Sequence, residues 1–401
     1  MQEIPGGITA VRGIEAAGIH CGIKGGGKKD LALVVSEPPG VAAGVFTTNR
    51  VKAAPVQTTA HLVKAERVHG IIANSGVANA CTGDRGVRDA EQMSDAAARL
   101  LGGDKGTILV ASTGAIGRYL PMDNILCALP TLVERLSKDG NADAAEAIMT
   151  TDTRPKWAAV ETKVGRRFAR VGGIAKGAGM ICPHMATMLA FLATDAHVSS
   201  EVLQTALRDA VDRSFNRITV DGDMSTNDMV LCIANGLAGN RLFGSGSPAY
   251  ASFSAAVAHV CSLLAQMIVR DGEGATKFVE VRVERARTRE AADRVARAVA
   301  NSCLVKTALF GGDPNWGRIL AAAGAAGVDV DPRFLTLRLG EVLVVRGGQP
   351  VDEARSAEAK EAVSAENVVI TLDLGLGKEE AFVWTCDLSY DYVRMNSEYR
   401  T

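Results

Sequence analysis

The chain has 401 residues, 47% of them hydrophobic and 22% charged, with a formal net charge of -1. That profile suits a soluble protein with a large buried core, and the length favours two or three domains. It excludes a disordered chain, and a near-neutral balance argues against a nucleic-acid surface or a polybasic membrane patch. Small anionic substrates stay open, because a single local lysine can hold them.

The N-terminal stretch Met1-Gln-Glu-Ile-Pro-Gly-Gly7 has neither a basic n-region nor an apolar h-region. Gly22-Ile-Lys-Gly-Gly-Gly-Lys-Lys29 is basic and glycine-rich but lacks the order of a phosphate loop, so a solvated turn is the expectation. Leu31 to Val35, Val41 to Phe46 and Gly70 to Ala73 read as strands, and Val87 to Leu101 as a helix. Thr107 to Val110 is a short apolar run leading into Ala111-Ser-Thr-Gly-Ala-Ile-Gly117, expected as a loop at a strand's C-terminal edge, where α/β proteins tend to build sites. Within it, the hydroxyl of Thr113 and the amide of Gly114 are adjacent donors. They could serve a developing oxyanion, or mark a plain turn. Asp123 to Leu136 and Ala142 to Met149 read as helices, the latter running into Thr150-Thr-Asp-Thr-Arg-Pro155.

Lys176-Gly-Ala-Gly-Met-Ile-Cys-Pro-His-Met-Ala-Thr-Met-Leu-Ala-Phe191 sets Ala186 before Thr187 and an apolar run after it. A chain that cuts itself between Ala186 and Thr187 would free a threonine whose own amine stands beside its hydroxyl, a nucleophile with a built-in base. An α-amine has an ordinary pKa of about 7.7–8.0, so part of it is neutral at working pH. The bland alternative is a glycine-rich turn entering a buried strand. Lys176 reads either as a point charge for a substrate carboxylate or as a surface lysine.

Ser199 or Ser200 can cap the next helix, with Leu203, Leu207, Ala210 and Val211 on one face. Phe253, Val257, Val260, Leu264 and Ile268 stripe a longer helix, and Glu273 follows in Asp271-Gly-Glu-Gly274, either facing a substrate amine or solvated in a turn. Val279, Val281 and Val283 alternate as a half-exposed strand, followed by a helix over about Thr288 to Ala300. Leu335 to Leu339, Val342 to Val345, Val368 to Leu374 and Phe382 to Leu388 read as strands, with an exposed helix from Asp352 to Glu361 between them. The polar, aromatic end Tyr390 to Thr401 either frays or docks. Eight cysteines without a CxxC pair read as reduced thiols, six histidines without HExxH predict no metal site, and no apolar stretch is read as a membrane span of about 20 residues. A cytoplasmic protein is the expectation.

Several long words occur in one order: Asn74-Ser-Gly-Val-Ala-Asn-Ala-Cys-Thr-Gly83, Ser112-Thr-Gly114, Thr150-Thr-Asp-Thr153 and Lys176 to Phe191. Ser214 to Asp228, Asp271 to Gly274, Leu304 to Thr307, Gly311 to Arg318 and Asn396 to Thr401 continue the series. Together they resemble the glutamate N-acetyltransferase (ornithine acetyltransferase) family along nearly the whole chain. The resemblance implies a mixed α/β fold like that of the self-processing aminopeptidases, not a Rossmann fold. It implies cleavage into an α chain (1–186) and a β chain (187–401) that stay associated, often as an α2β2 heterotetramer. Carried over residue by residue, Thr187 is the nucleophile, and Thr113 with Gly114 forms the oxyanion hole. Thr153, Lys176, Thr187, Glu273, Asn396 and Thr401 are substrate-binding positions.

The implied reaction moves acetyl from N-acetylornithine to glutamate, releasing ornithine, with no metal or redox cofactor and with acetyl-CoA as a further possible co-substrate. Rival readings are a self-processing aminopeptidase or amidase, a transferase limited to ornithine recycling, and a non-catalytic metabolite-binding protein. Val77 stands where the family word has asparagine, and Met224 where it has threonine. Both departures bear on fine specificity rather than on the reaction.

Overall fold

The computed structural model describes residues 1–182, 188–352 and 356–398. The chain folds into two units. One holds Met1–Asn216 and Asp223–Ile268, and the other holds Arg217–Gly222 and the described residues from Val269 to Glu398.

In the first unit the described strands are β1 (Gln2–Glu3), β2 (Ile14–Ile19), β3 (Leu31–Phe46), β4 (Val68–Val77) and β5 (Ile108–Ala115), then β6 (Lys156–Val164), β7 (Arg167–Lys176), β8 (Leu189–Thr194) and β9 (Met229–Ala234). They form one sheet in the order β1-β6-β7-β8-β9-β3-β4-β5, with β2 also paired to β3. Only β4–β5 and β8–β9 run parallel among these pairs. This is the mixed α/β arrangement expected, not the parallel sheet of a Rossmann fold. Strands β8 and β9 are buried along their whole length, which explains their unbroken apolar sequences.

Two expectations change here. Leu31 to Val35 and Val41 to Phe46 are one strand, not two. The first half of β3 pairs with β2 and β4, and the second half with β9. Pro38 and Pro39 suggest a break in sequence, but in the structure they coincide with a register shift between Val35 and Gly40 rather than an end. The stretch after Val110 is also strand rather than loop. Ser112, Thr113 and Gly114 extend β5 because β4 supplies partners as far as Gly76. Glycine and hydroxyl residues look like a turn when the neighbouring strand is not known.

Helices Gly83–Leu100 and Met122–Glu134 start and stop within a few residues of the sequence expectation. Ser199 caps helix Ser200–Asp212 by accepting from Val202 N. Helix Pro248–Arg270 is long and apolar enough to cross a membrane by length and composition, which corrects the reading that no segment was. Its alanines and serines dilute the run by eye. Its stripe of Phe253, Val257, Val260, Leu264 and Ile268 is buried, and Leu264 lies where a side chain on Gly173 of β7 would stand.

The second unit carries β10 (Phe278–Ala286), β11 (Thr336–Leu339), β12 (Val342–Arg346), β13 (Gln349–Pro350), β14 (Asn367–Asp373) and β15 (Glu379–Cys386), in the order β13-β12-β11-β14-β10-β15. Val279, Val281 and Val283 point into its core with Val295, Val299 and Ile370, as their alternation requires. The exposed helix expected from Asp352 lies at Ala357–Ser364, capped by Ser356. Helix Tyr390–Glu398 occupies the polar C-terminal stretch.

Candidate active site

Sheet geometry places several strand ends of the first unit on one edge. β8 and β9 are parallel and begin together, with Leu189 opposite Met229. β7 is antiparallel to β8 and ends there, with Lys176 opposite Leu189. β3 is antiparallel to β9 and ends there too, with Phe46 opposite Met229. The connection 177–188, which contains the expected cut, therefore joins two neighbouring strands on this edge. Pro183, Ala186 and Thr187 lie outside the described residues, as does Thr401.

The end of β5 is tied to the same edge by Asn227, whose side-chain amide donates to Ser112 O at 2.8 Å and Ala78 O at 2.6 Å. Ser112 gives its own hydroxyl to Asn74 Oδ1, so its role is to fasten β5 to β4. Thr113 is left to face the site. Gly114 has φ +130, and a Cβ there would stand 2.3 Å from the backbone carbon of Gly76. The register shifts at this point. Only glycine fits, and the resulting bulge aims the strand end, as bulges beside sites often do.

Lys176 is 2% exposed, so the surface-lysine reading fails. Its ammonium donates to Thr150 Oγ1 at 2.8 Å and reaches Thr113 Oγ1 at 3.4 Å. A hydroxyl that accepts from an ammonium turns its own proton away, which leaves Thr113 a donor for another oxygen. Asp152 anchors the surroundings. It accepts from Lys156 Nζ at 2.7 Å, Gly177 N at 2.7 Å and Thr150 N at 2.9 Å. Burial works against its ionisation, but the Lys176 and Lys156 charges and these bonds outweigh it and hold its carboxyl well below the usual range. Thr153, one residue on, is exposed.

Two residues of this region went unnoticed in the sequence. Lys24, in the stretch expected to be a solvated turn, is half-buried and donates to Met149 O at 2.8 Å. Burial, together with the nearby Lys176 charge, lowers its ammonium to about 8 against the pull of Asp30. Asp30 organises the turn by accepting from the amides of Cys21, Ile23 and Lys24. The second residue is Asp228 at the head of β9, fully buried, which accepts from Met188 N at 2.9 Å. It closes the word Ser214 to Asp228, so the signal was present, but acidic residues are common in loops and nothing marked this one as buried.

In the second unit the structure brings Glu273 and Asn396 together. The Asn396 amide donates to Glu273 Oε2 at 2.7 Å, and Glu273 is buried rather than solvated. Tyr392 donates to Asp221 at 3.3 Å and Ser389 to Gly274 O at 2.6 Å, so the C-terminal helix is docked at these points.

Comparison with known proteins adds the family. The ArgJ family model matches residues 15–401. This chain belongs to the ArgJ family. The arginine biosynthesis bifunctional protein ArgJ of Symbiobacterium thermophilum is 52% identical over 405 residues, covering 100% of both chains. The glutamate N-acetyltransferase of Methanocaldococcus jannaschii is 46% identical over 413 residues, again covering 100% of both. A crystal structure of the arginine biosynthesis bifunctional protein argJ of Bacillus halodurans is 42% identical, with a TM-score of 0.49, and covers 51% of this chain and 96% of that one.

Proposed function

We propose that this ArgJ-family enzyme moves acetyl from N-acetyl-L-ornithine to L-glutamate in arginine biosynthesis through an acetyl ester on Thr187. Thr187 attacks the acetyl carbonyl and ornithine leaves. Glutamate then attacks the ester and leaves as N-acetylglutamate. The observation that carries this reading is the Lys176–Thr113 contact on the sheet edge from which the 177–188 connection springs. It supplies an oxyanion donor and a buried cation beside the segment that holds the nucleophile. Glutamate as acceptor, rather than water, is favoured by Lys176, a buried cation of the charge that pairs with a substrate carboxylate, and this disfavours the aminopeptidase reading. Thr153, Glu273, Asn396 and Thr401 are proposed substrate positions from the same resemblance.

The nucleophile requires a free amine, so the chain cuts itself between Ala186 and Thr187. The pieces, 186 and 215 residues, remain together in the cytoplasm as an α2β2 assembly. Acetyl-CoA serves as a second donor, because the acceptor step is the same once Thr187 is acetylated. No metal or redox cofactor enters the reaction.

Intact-mass measurement of the denatured protein tests the cut, and a single full-length species with normal turnover would end the proposal. Incubation with N-acetylornithine and labelled ornithine, without glutamate, tests the ester. Label should pass into N-acetylornithine, whereas a direct ternary transfer would move none. Release of CoA from acetyl-CoA with glutamate alone, above the rate of Thr187→Ala, tests the second donor.

A further inference from the structure

Lys24 carries a charge that the fold does not answer. Its turn is pinned by Asp30, whose carboxylate is engaged by the amides of Cys21, Ile23 and Lys24. The lysine stem runs over β4. A Cβ on Gly76 would stand 3.1 Å from Lys24 Cγ, and Gly76 lies opposite Gly114 of β5. The half-buried ammonium then donates to Met149 O at 2.8 Å. That carbonyl is its one hydrogen-bond partner among the described residues, and no carboxylate among them stands within ion-pair distance of it. A partly desolvated ammonium with one neutral partner keeps N–H groups for an anion and is stabilised by one.

The next residue holds the neighbouring cation. Thr150 Oγ1 accepts from Lys176 Nζ at 2.8 Å, and Lys176 reaches Thr113 Oγ1 at 3.4 Å. Standard bond lengths keep Met149 O and Thr150 Oγ1 within about 5 Å of each other. Asp152 fixes this segment by accepting from Thr150 N at 2.9 Å, and Lys156 meets its charge at 2.7 Å. The Lys24 and Lys176 ammonium groups are thus held on adjoining residues beside the candidate oxyanion donor, close enough to feel each other's charge. Like charges held together repel, and a ligand with two negative ends relieves both.

We infer that Lys24 selects the acceptor, its ammonium holding the side-chain carboxylate of glutamate while Lys176 holds the α-carboxylate. This rests on the acetyl-transfer reading above. Lys176 is the cation that touches Thr113, so the carboxylate beside the attacking amine falls to it. The second carboxylate, at the far end of a short aliphatic chain, falls to Lys24. N-acetylornithine and ornithine each have a single carboxylate, and ornithine ends in an ammonium that Lys24 repels. The second cation therefore favours the acceptor over the donor. Burial lowers the Lys24 ammonium to about 8, so a bound carboxylate would stabilise a charge that the free site holds weakly. The charges around it are Asp30 and Lys28 of its own turn, Lys176 on β7, and Asp152 in the segment that follows Met149.

The test uses the cut, purified enzyme with N-acetylornithine as donor. Lys24→Met should raise KM for glutamate about 10- to 100-fold, the usual worth of a hydrogen bond to a charged group. Glutamine offers a neutral amide in place of the second carboxylate, so the preference for glutamate over glutamine should shrink by a similar factor. KM for ornithine, read from label exchange without glutamate, should not rise with it, because loss of a cation relieves the ornithine ammonium. Lys24→Arg should keep the preference, since it keeps the charge. An unchanged KM for glutamate in Lys24→Met would overturn the inference. So would a rise shared equally by glutamate, glutamine and ornithine, which marks a structural clamp. Should Lys24→Met fail to fold or to be cut, the wild type decides. Its preference for glutamate over glutamine should fall as pH rises through about 8, and a preference flat across that range would overturn the inference. A wild type that makes no N-acetylglutamate refutes the acetyl-transfer reading instead, so the two failures are distinct.

Discussion

At the scale of single residues, the site runs on groups placed out of their usual environment. Thr113 is 3% exposed and faces a buried ammonium. Because an oxyanion exists only in passing, loss of this hydroxyl should act on kcat more than on KM. Thr113→Val should lose about 2.7–4 kcal/mol of transition-state stabilisation, the cost of one such donor. Steady-state kinetics on the fully cut variant checks this, and an unchanged kcat would move the oxyanion hole elsewhere. Lys24 gives a pH signature. Its ammonium, lowered to about 8, loses charge as pH rises through that value. If it helps Lys176 draw in amino-acid carboxylates, KM for glutamate should climb above about pH 8, and Lys24→Arg should remove the climb, since arginine keeps its charge. A flat wild-type KM would assign Lys24 to structure alone.

These residues also mark the limit of the sequence. Thr113, Gly114 and Lys176 could be named because a family word surrounds each of them. Lys24 and Asp228 could not, because their chemistry comes from burial. Lys24 sits among glycines that look solvated, and only the Asp30 carboxylate, gathering three amides, pins that turn. Asp228 differs from the exposed Asp223 of the same word only in its position at the head of β9.

At the scale of elements, the sequence is reliable where periodicity is strong and weak where pairing decides. The valines of β10, the Ser199 cap and the stripe of helix Pro248–Arg270 were legible because each shows its period in the chain itself. The course of β5 was not. Glycine is depleted in strands, and Gly114 reaches strand geometry, with β5 running on to Ala115, because β4 runs alongside it to Val77. That pairing makes Gly114 the sensitive point. A methyl group at φ +130 is strained in itself and would also strike the Gly76 backbone at 2.3 Å. Gly114→Ala should destabilise the protein by more than about 1 kcal/mol, the scale for alanine where φ is positive. It should also lower kcat by displacing Thr113. Thermal melting and kinetics on one preparation test both, and loss of stability with full kcat would separate the bulge from the chemistry.

At the scale of the whole molecule, the expected cut and the folding units do not coincide. The cut between residues 186 and 187 falls inside the first unit, between neighbouring strands of one sheet. The piece that begins at Thr187 supplies β8 and β9, which lie between β7 and β3 of the piece that ends at Ala186. Six residue pairs join β7 to β8, and six join β3 to β9. Gln204, in helix Ser200–Asp212, adds bonds to both the amide and the carbonyl of Gly44. Separating the pieces would expose two central strands, buried along their length, and break two ladders together. That is a global unfolding rather than a local one. Cut protein should therefore run as one species on native gel filtration, and its two fragments should part only in denaturant. The uncut Thr187→Ala variant should melt within a few degrees of it, because the peptide bond adds little to a sheet already held on both sides. Fragments that separate without denaturant would show that the strand pairing across the cut is weaker than this sheet order requires.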